Sequence, residues 1–364
     1  MKRILTLDGG GIRGIFSLQI LARLEEIFRA EYGRRDLVLR EVFDFFAGTS
    51  TGAIIATCVA WGMSVGEIEK LYIGRGAEMF AKEVWYRRWK AKYRSEAIAN
   101  FFREFFCEDD KTPALLGTKK FYDGANPKYL LVVMRNASTG SPWPVSNNPR
   151  AKYNNPAHPD NNLQIPIWKL LRASTAAPTF FPPESLVFEG RTHLFVDGGI
   201  TPYNNPSLIA VLMATLPAYH IEWPTGPDQL QVVSIGTGSV RTRLAKQQAE
   251  QIHVLDQVIY VVPALLESIA IQQDMLCRVM GDCRYGADLD SEIGNLQGAG
   301  VLTPAEKRFS YVRYNRFYSH DETEELLRAT KQQFSLDNLE LIPYLQRTGT
   351  EYAAGAVKRE HLFA

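Results

Sequence analysis

The sequence predicts an α/β protein: a three-layer α/β/α arrangement with a central, mostly parallel sheet and a helical C-terminal extension. Three observations carry this reading. A short apolar run, a glycine loop and an amphipathic helix follow one another at the start of the chain, the same order recurs near residue 45, and further short apolar runs follow as far as residue 238. Strands that alternate with helices form parallel sheets covered on both faces.

Taken in order, "RILTLD" reads as a short buried strand and Gly9 to Gly14 as a tight loop. "IFSLQILARLEEIF" reads as a helix with Ile15, Leu18, Leu21, Leu24 and Phe28 on one face. In "EVFDFFAGTSTGAIIATCVAWG" a run ending in Phe45, Phe46 and Ala47 meets Gly48, and an apolar helix follows. Strand signals come next at "KYLLVVMRN", "THLFVDGG" and "LQVVSIGTG". Residues 137–168, crowded with Pro and Asn, are expected to form a long surface loop of the kind that carries function. Beyond about residue 245 the pattern is mostly helical, with Pro263 expected to kink or break the longest segment. The expected organisation is a catalytic α/β domain over 1–244 with a helical region, 245–364, packed on it.

The 364 residues are 46% hydrophobic and 22% charged, which is ordinary globular material able to bury a large core. A formal net charge of +1 gives no global field for a nucleic acid polymer. The apolar stretch in "MKRILTLDGGG" is too short for a secretory signal, and no apolar segment approaches the ~18 residues of a membrane span. Cys58, Cys107, Cys277 and Cys283 form no CxxC pair, so reduced thiols in a cytoplasmic protein are expected and a metal site is not. "DLDSEIG" sets Asp288, Asp290 and Glu292 at alternate positions like the start of a calcium loop. Ile293 stands where the turn glycine belongs, so the segment reads as a solvated acidic loop.

Chemistry concentrates in a few short stretches. "GTSTG", Gly48 to Gly52, fits G-x-S-x-G at a strand-to-helix turn, where Ser50 would sit on a strained corner with its hydroxyl exposed. By itself the motif fits a Ser/Thr helix cap equally well. A nucleophilic serine needs a base. Asp197, at the end of the apolar run in "LFVDGG", is placed for that role. His193 lies four residues earlier, ~13 Å along a strand, too far to stand between Ser50 and Asp197. His220, His253 and His320 stay open. The glycines of "LDGGGIRGIF" need a local reason, since glycine is costly to order: their N–H groups approach either a bound anion or an oxyanion formed during reaction.

"DGGGIRG", "GTSTG", "ASTAAPTFFPP" and "DGG" occur in an order and spacing that resembles the patatin-like phospholipases, over roughly residues 3 to 240. The resemblance implies the patatin-like three-layer fold and a Ser/Asp dyad acting through an acyl-enzyme. Ser50 would be the nucleophile, Asp197 the base, Gly48 and Gly52 the elbow glycines, and Gly10 and Gly11 the oxyanion donors. Arg13 would steady the loop or meet a lipid phosphate. No cofactor or metal is implied. Partial burial of Asp197 would raise a carboxylate pKa of ≈ 3.9 toward a useful base, an argument independent of the resemblance. "SIGTG" reads as a strand-ending turn and "ASTAAPTFFPP" as the wall of the site.

Two other readings compete with hydrolysis. Gly9, Gly11 and Gly14 also fit the dinucleotide pattern G-x-G-x-x-G with Asp36 as ribose acid, which would make the chain an oxidoreductase. Against this, Asp8 would stand beside the pyrophosphate, Asp36 begins an apolar run, and GTSTG and DGG go unexplained. A catalytically inactive lipid-binding module is the third reading.

Membrane phospholipid, met peripherally at the inner membrane surface, is the expected substrate. "KEVWYRRWKAKYR", residues 82–94, interleaves four aromatics with Arg87, Arg88, Lys90 and other cations in the manner of an interfacial segment. The simpler reading of it is a helix with aromatics in the core and charges in water. A further likeness, to antiphage patatin effectors switched on by cyclic nucleotides, implies such an activator and leaves room for a homo-oligomer. Arg241, Arg243 and Lys246 offer an anion contact, with a solvated basic turn as the simpler reading.

Overall fold

In the computed structural model, the structure is described for residues 1–80, 99–122, 127–158, 160–178, 180–188, 190–240, 254–298, 302–319, 321–324 and 339–363. The first apolar run becomes strand β1 (Lys2–Leu7) because its alternate residues face two different cores. Leu5 and Leu7 enter one cluster and Ile4 the other. The same division recurs in β2 (Phe45–Thr49), where Phe46 faces one core and Phe45 and Ala47 the other. In β3 (Tyr129–Asn136), Leu130, Val132 and Met134 oppose Tyr129, Leu131 and Val133. Strands apolar on both faces must be covered on both.

Helices α1 (Gly14–Tyr32), α2 (Thr51–Trp61), α3 (Val65–Phe80), α4 (Ile167–Ser174) and α7 (Ile342–Ala356) contribute to the first core. Helices α5 (Ser207–Thr215) and α6 (Val254–Met280) contribute to the second. Gly33 and Gly62 end α1 and α2 with φ of 63° and 102°, left-handed values that glycine adopts without strain. The expected three-layer α/β class is the one observed.

The remaining strands of the sheet are β4 (Ser141–Ser146), β5 (Glu184–Phe188), β6 (Arg191–Asp197), β7 (Leu230–Ile235), β8 (Asp282–Tyr285) and β9 (Ser310–Tyr314). Their order is β5-β6-β3-β2-β1-β7-β9-β8, with β4 added to β3. All pairs from β3 through β2, β1, β7 and β9 to β8 are parallel, and β4, β5 and β6 pair antiparallel.

Three expectations need correction. Residues 137–168 are not one irregular loop. They include β4, where Pro142 and Pro144 are tolerated because β4 pairs only with β3 and so lies at an edge. Buried Asn147 and Asn154 then supply side-chain hydrogen bonds to backbone groups that a longer strand would have paired. The mostly helical chain beyond 244 also gives β8 and β9 to the central sheet, so a boundary at 244/245 divides one continuous ladder. Helix α6 also runs on through position 263 instead of breaking there.

One detail of pairing positions the site. β4 occupies one edge of β3 from Leu131 to Asn136, so β2 and β6 share the other edge. Thr49 lies opposite Val133 and Asp197 opposite the next residue, Met134. The C-terminal tips of β2 and β6 therefore meet end to end.

Candidate active site

Ser50 follows the tip of β2 and begins α2. Its φ of 53° and ψ of −124° are rare for a residue with a side chain and cost about 1–3 kcal/mol. Its N–H donates to Ser174 Oγ at 2.9 Å, Ser174 Oγ donates to the Val133 carbonyl at 2.6 Å, and its carbonyl accepts from Ala53 N–H at 2.9 Å. Glycine is required on both sides. A Cβ at Gly48 would lie 2.2 Å from the Gly52 carbonyl oxygen, and one at Gly52 would lie 2.3 Å from that of Leu7. Although Ser50 occupies the N-cap position, its side chain makes no capping bond, which removes the helix-cap reading.

The Ser50 hydroxyl instead donates to Asp197 Oδ2 at 2.6 Å. Asp197 Oδ1 accepts from Gly199 N–H at 2.6 Å, and Asp197 N–H donates to the Ala176 carbonyl at 3.0 Å. Asp197 is 5% exposed. Burial pushes its pKa from 3.8 up to about 6, while the bonds from Ser50 and Gly199 pull it down. At neutral pH it is therefore mostly ionised, yet a better proton acceptor than an ordinary aspartate.

The glycine loop lies alongside. A Cβ at Gly9 would be 3.2 Å from Ser50 Cβ. Gly9 N–H donates to the Asn204 carbonyl at 3.2 Å, whereas Gly10 and Gly11 N–H donate to no acceptor among the described residues. Thr237 abuts Gly10, where a Cβ would lie 2.3 Å from its Oγ1, and Gly11 has a φ of 58°. Arg13 Nη1 donates to the Gly238 carbonyl at 2.9 Å and so ties the loop to the turn after β7. Asp8, at the tip of β1, is 6% exposed and accepts from both terminal nitrogens of Arg313. A hydroxyl paired with a buried carboxylate, beside two unfilled N–H donors, can attack a carbonyl and receive the oxyanion that forms.

Sequence reasoning overlooked four residues that hold these groups: Ser174, Asn204, Thr237 and Arg313. Ser174 stands inside "ASTAAPTFFPP", so this stretch anchors both Ser50 and Asp197 as well as walling the site, and "SIGTG" supports the glycine loop as well as ending a strand. The dinucleotide reading loses its ribose acid, because exposed Asp36 pairs with Arg34 at 2.9 Å. His193 Nδ1 lies 3.2 Å from Asn136 Nδ2 and His361 Nδ1 lies 3.1 Å from the Tyr314 hydroxyl. The side-chain partners of the Asp197 carboxylate among the described residues are Ser50 and the Gly199 backbone. His253, His320, residues 82–94 and residues 241–246 lie outside the described residues. Asp290 Oδ1 accepts from the N–H groups of Glu292 and Ile293, turning the acidic loop on itself.

Comparison with known proteins adds the wider context. A family model described as Patatin-like phospholipase matches residues 5–211. A cGAMP-activated phospholipase of Escherichia coli (strain TW11681) is 29% identical over 213 residues, 58% of this chain and 55% of that protein. The calcium-independent phospholipase A2-gamma of Mus musculus is 30% identical over 239 residues, 65% of this chain and 28% of that protein. The probable inactive patatin-like protein 9 of Arabidopsis thaliana is 29% identical over 252 residues, 65% of this chain and 60% of that protein. The chain thus spans little more than half the length of the bacterial relative. The family match holds the glycine loop, the elbow and Asp197, and ends before Thr237 and Arg313.

Proposed function

Since the chain belongs to the patatin-like phospholipase family, we propose that it is a serine lipid acyl hydrolase that cleaves phospholipid esters. Ser50 Oγ attacks the ester carbonyl as Asp197 accepts its proton, and the N–H groups of Gly10 and Gly11 receive the oxyanion. Asp197 then returns the proton to the departing lysophospholipid oxygen. A water molecule, giving its proton to Asp197, attacks the acyl-Ser50 ester, and collapse returns that proton to Ser50 and releases the free fatty acid. Arg13 steadies the loop rather than meeting substrate, in keeping with its bond to Gly238.

The single observation that carries this reading is the 2.6 Å bond from Ser50 to Asp197 on a left-handed elbow. Family membership alone would not suffice, since one relative is named as inactive. The test is labelling with a fluorophosphonate followed by mapping of the modified peptide, alongside release of fatty acid from a fluorogenic phospholipid. Ser50 is expected to carry the label. Label elsewhere, or fatty acid release that survives Ser50→Ala, would overturn the assignment.

The name of the bacterial relative supports one further element: a cyclic dinucleotide raises the activity. Such a ligand can act only by binding the active form more tightly, with coupling typically ~1–3 kcal/mol. Hydrolysis measured with and without cGAMP, together with calorimetric binding, decides it, and full activity without binding refutes it. Contact with the membrane is peripheral and at its inner surface in this reading. Among the described residues no helix is long and apolar enough to cross a bilayer.

A further inference from the structure

The family match ends at residue 211, and a hundred residues later β9 sets an arginine beneath the glycine loop. Arg313 is 3% exposed. Its Nη1 donates to Asp8 Oδ1 at 2.8 Å and to Ser234 Oγ at 2.8 Å, and its Nη2 donates to Asp8 Oδ2 at 2.5 Å. Thr6, Ser234 and Arg313 lie side by side across β1, β7 and β9. Ser207 Oγ, at the start of α5, lies 2.7 Å from Thr6 Oγ1, 2.8 Å from Ser234 Oγ and 2.6 Å from Asn205 Oδ1. The neighbour of Asn205, Asn204, accepts the Gly9 N–H. One buried polar network therefore reaches the glycine loop twice, through Asp8 and through Asn204.

We propose that Arg313 is a positioning residue for the oxyanion-binding N–H groups of Gly10 and Gly11, acting through Asp8. Two physical effects combine. The planar guanidinium bonds both carboxylate oxygens and so fixes the orientation of the residue from which Gly9–Gly11 extend, which a point-charge ammonium does less well. The guanidinium also cancels the charge of a buried carboxylate only two residues from Gly10, which would otherwise repel an anion forming on the loop. Asp274 on α6 is paired with Arg278 at 2.6 Å and accepts from the Tyr311 hydroxyl at 3.0 Å. The acids nearest to Arg313 in this layer are thus Asp8, which it holds, and Asp274, which Arg278 neutralises.

The inference rests on the reading of Ser50 as nucleophile, and the experiment keeps the two apart. Arg313→Lys and the neutral pair Asp8→Asn/Arg313→Met are compared with the native full chain on a soluble short-chain ester. Melting, fluorophosphonate labelling and hydrogen exchange of residues 8–14 are followed in parallel. Arg313→Lys is expected to keep its fold and lose about 10-fold in kcat, with KM changed by less than about two-fold. The neutral pair is expected to lose about 10²-fold, because the displaced donors stabilise only the transition state. Exchange should quicken in 8–14 while β1 and α1 keep their protection. Native kcat in a folded variant, a loss confined to KM, or unchanged loop exchange overturns the proposal. Where one variant does not fold, the other carries the kinetic test. A native protein that takes no label overturns the hydrolase reading and this inference with it, whereas native labelling matched by both variants overturns this inference alone.

Discussion

The two turns that meet at the site are built in opposite ways. The elbow largely shapes itself: Gly48 packs on Gly52, and the Ser50 carbonyl accepts from Ala53 N–H, all within a few residues. The glycine loop takes its shape from far away, from Asn204, Thr237, Gly238 and Arg313, the last 305 positions from Asp8. A largely self-shaped turn needs little from elsewhere, here the Ser174 hydroxyl that accepts the Ser50 N–H and the Leu7 backbone on which Gly52 packs. A turn held from outside depends on the residues that hold it, and of these Thr237, Gly238 and Arg313 lie beyond the family match while Asn204 lies within it.

The elbow carries the largest expected effect. Ser50→Ala should lower hydrolysis by on the order of 10⁴-fold or more and abolish labelling, with the fold retained. Measurable turnover at native KM would show that another nucleophile operates. Asp197→Asn should cost about 10²-fold or more in kcat. In the native protein kcat/KM should rise with pH through about 6, as Asp197 becomes ionised. A profile flat from pH 5 to 8 would remove Asp197 as the base.

Stability should respond to Asp197 with the opposite sign. Its pKa is raised from 3.8 to about 6 by burial, so between these values the folded state holds a proton that the unfolded state has lost. Stability is favoured by low pH here and falls as pH rises through about 6, by about 3 kcal/mol in all. Asp197→Asn should therefore gain stability relative to the native protein at pH 8, with the gain shrinking toward pH 4, measured by urea denaturation. A gain independent of pH would contradict the assigned cause.

The smaller effects sharpen the contrast between the turns. Gly52→Ala should cost about 3 kcal/mol, at the upper end for overpacking, because the new methyl meets the backbone oxygens of Leu7 and Asp8. No trimming of a side chain can relieve that. Gly10→Ala should cost about 10-fold in kcat, and Thr237→Gly should restore part of it, because the new methyl meets the Thr237 side chain. Equal rescue of both, or of neither, would erase the distinction between a self-shaped and an externally shaped turn.

This contrast also explains what could be read from the sequence. Ser50, Asp197 and the glycines sit in short motifs at strand ends, so their neighbourhood was legible, and the structure brings all of them together. Ser174, Asn204, Thr237 and Arg313 reach the site across the sheet, and no local pattern marks them. Strand β9, "SYVRY", has a buried serine and a buried arginine among its apolar residues, which hides its strand character. The Pro-rich β4 escaped because its prolines are compatible only with an edge, a property of the ladder and not of the segment.

The meeting of β2 and β6 on one edge of β3 has a consequence for how this chain can change. Residues advance about 3.3 Å along a strand and alternate faces. Deleting one residue within β6 would displace Asp197 by that much and turn it away from Ser50. Within the connection from 147 to 183, Ser174 bonds Val133 and Ala176 bonds Asp197, so it is the segments on either side of residues 167–176 that can lengthen or shorten without altering which residues face Val133 and Met134. Substrate preference is thus free to diverge through insertions around the opening, while the separation of hydroxyl and carboxylate stays locked to an interval of a single residue on β3.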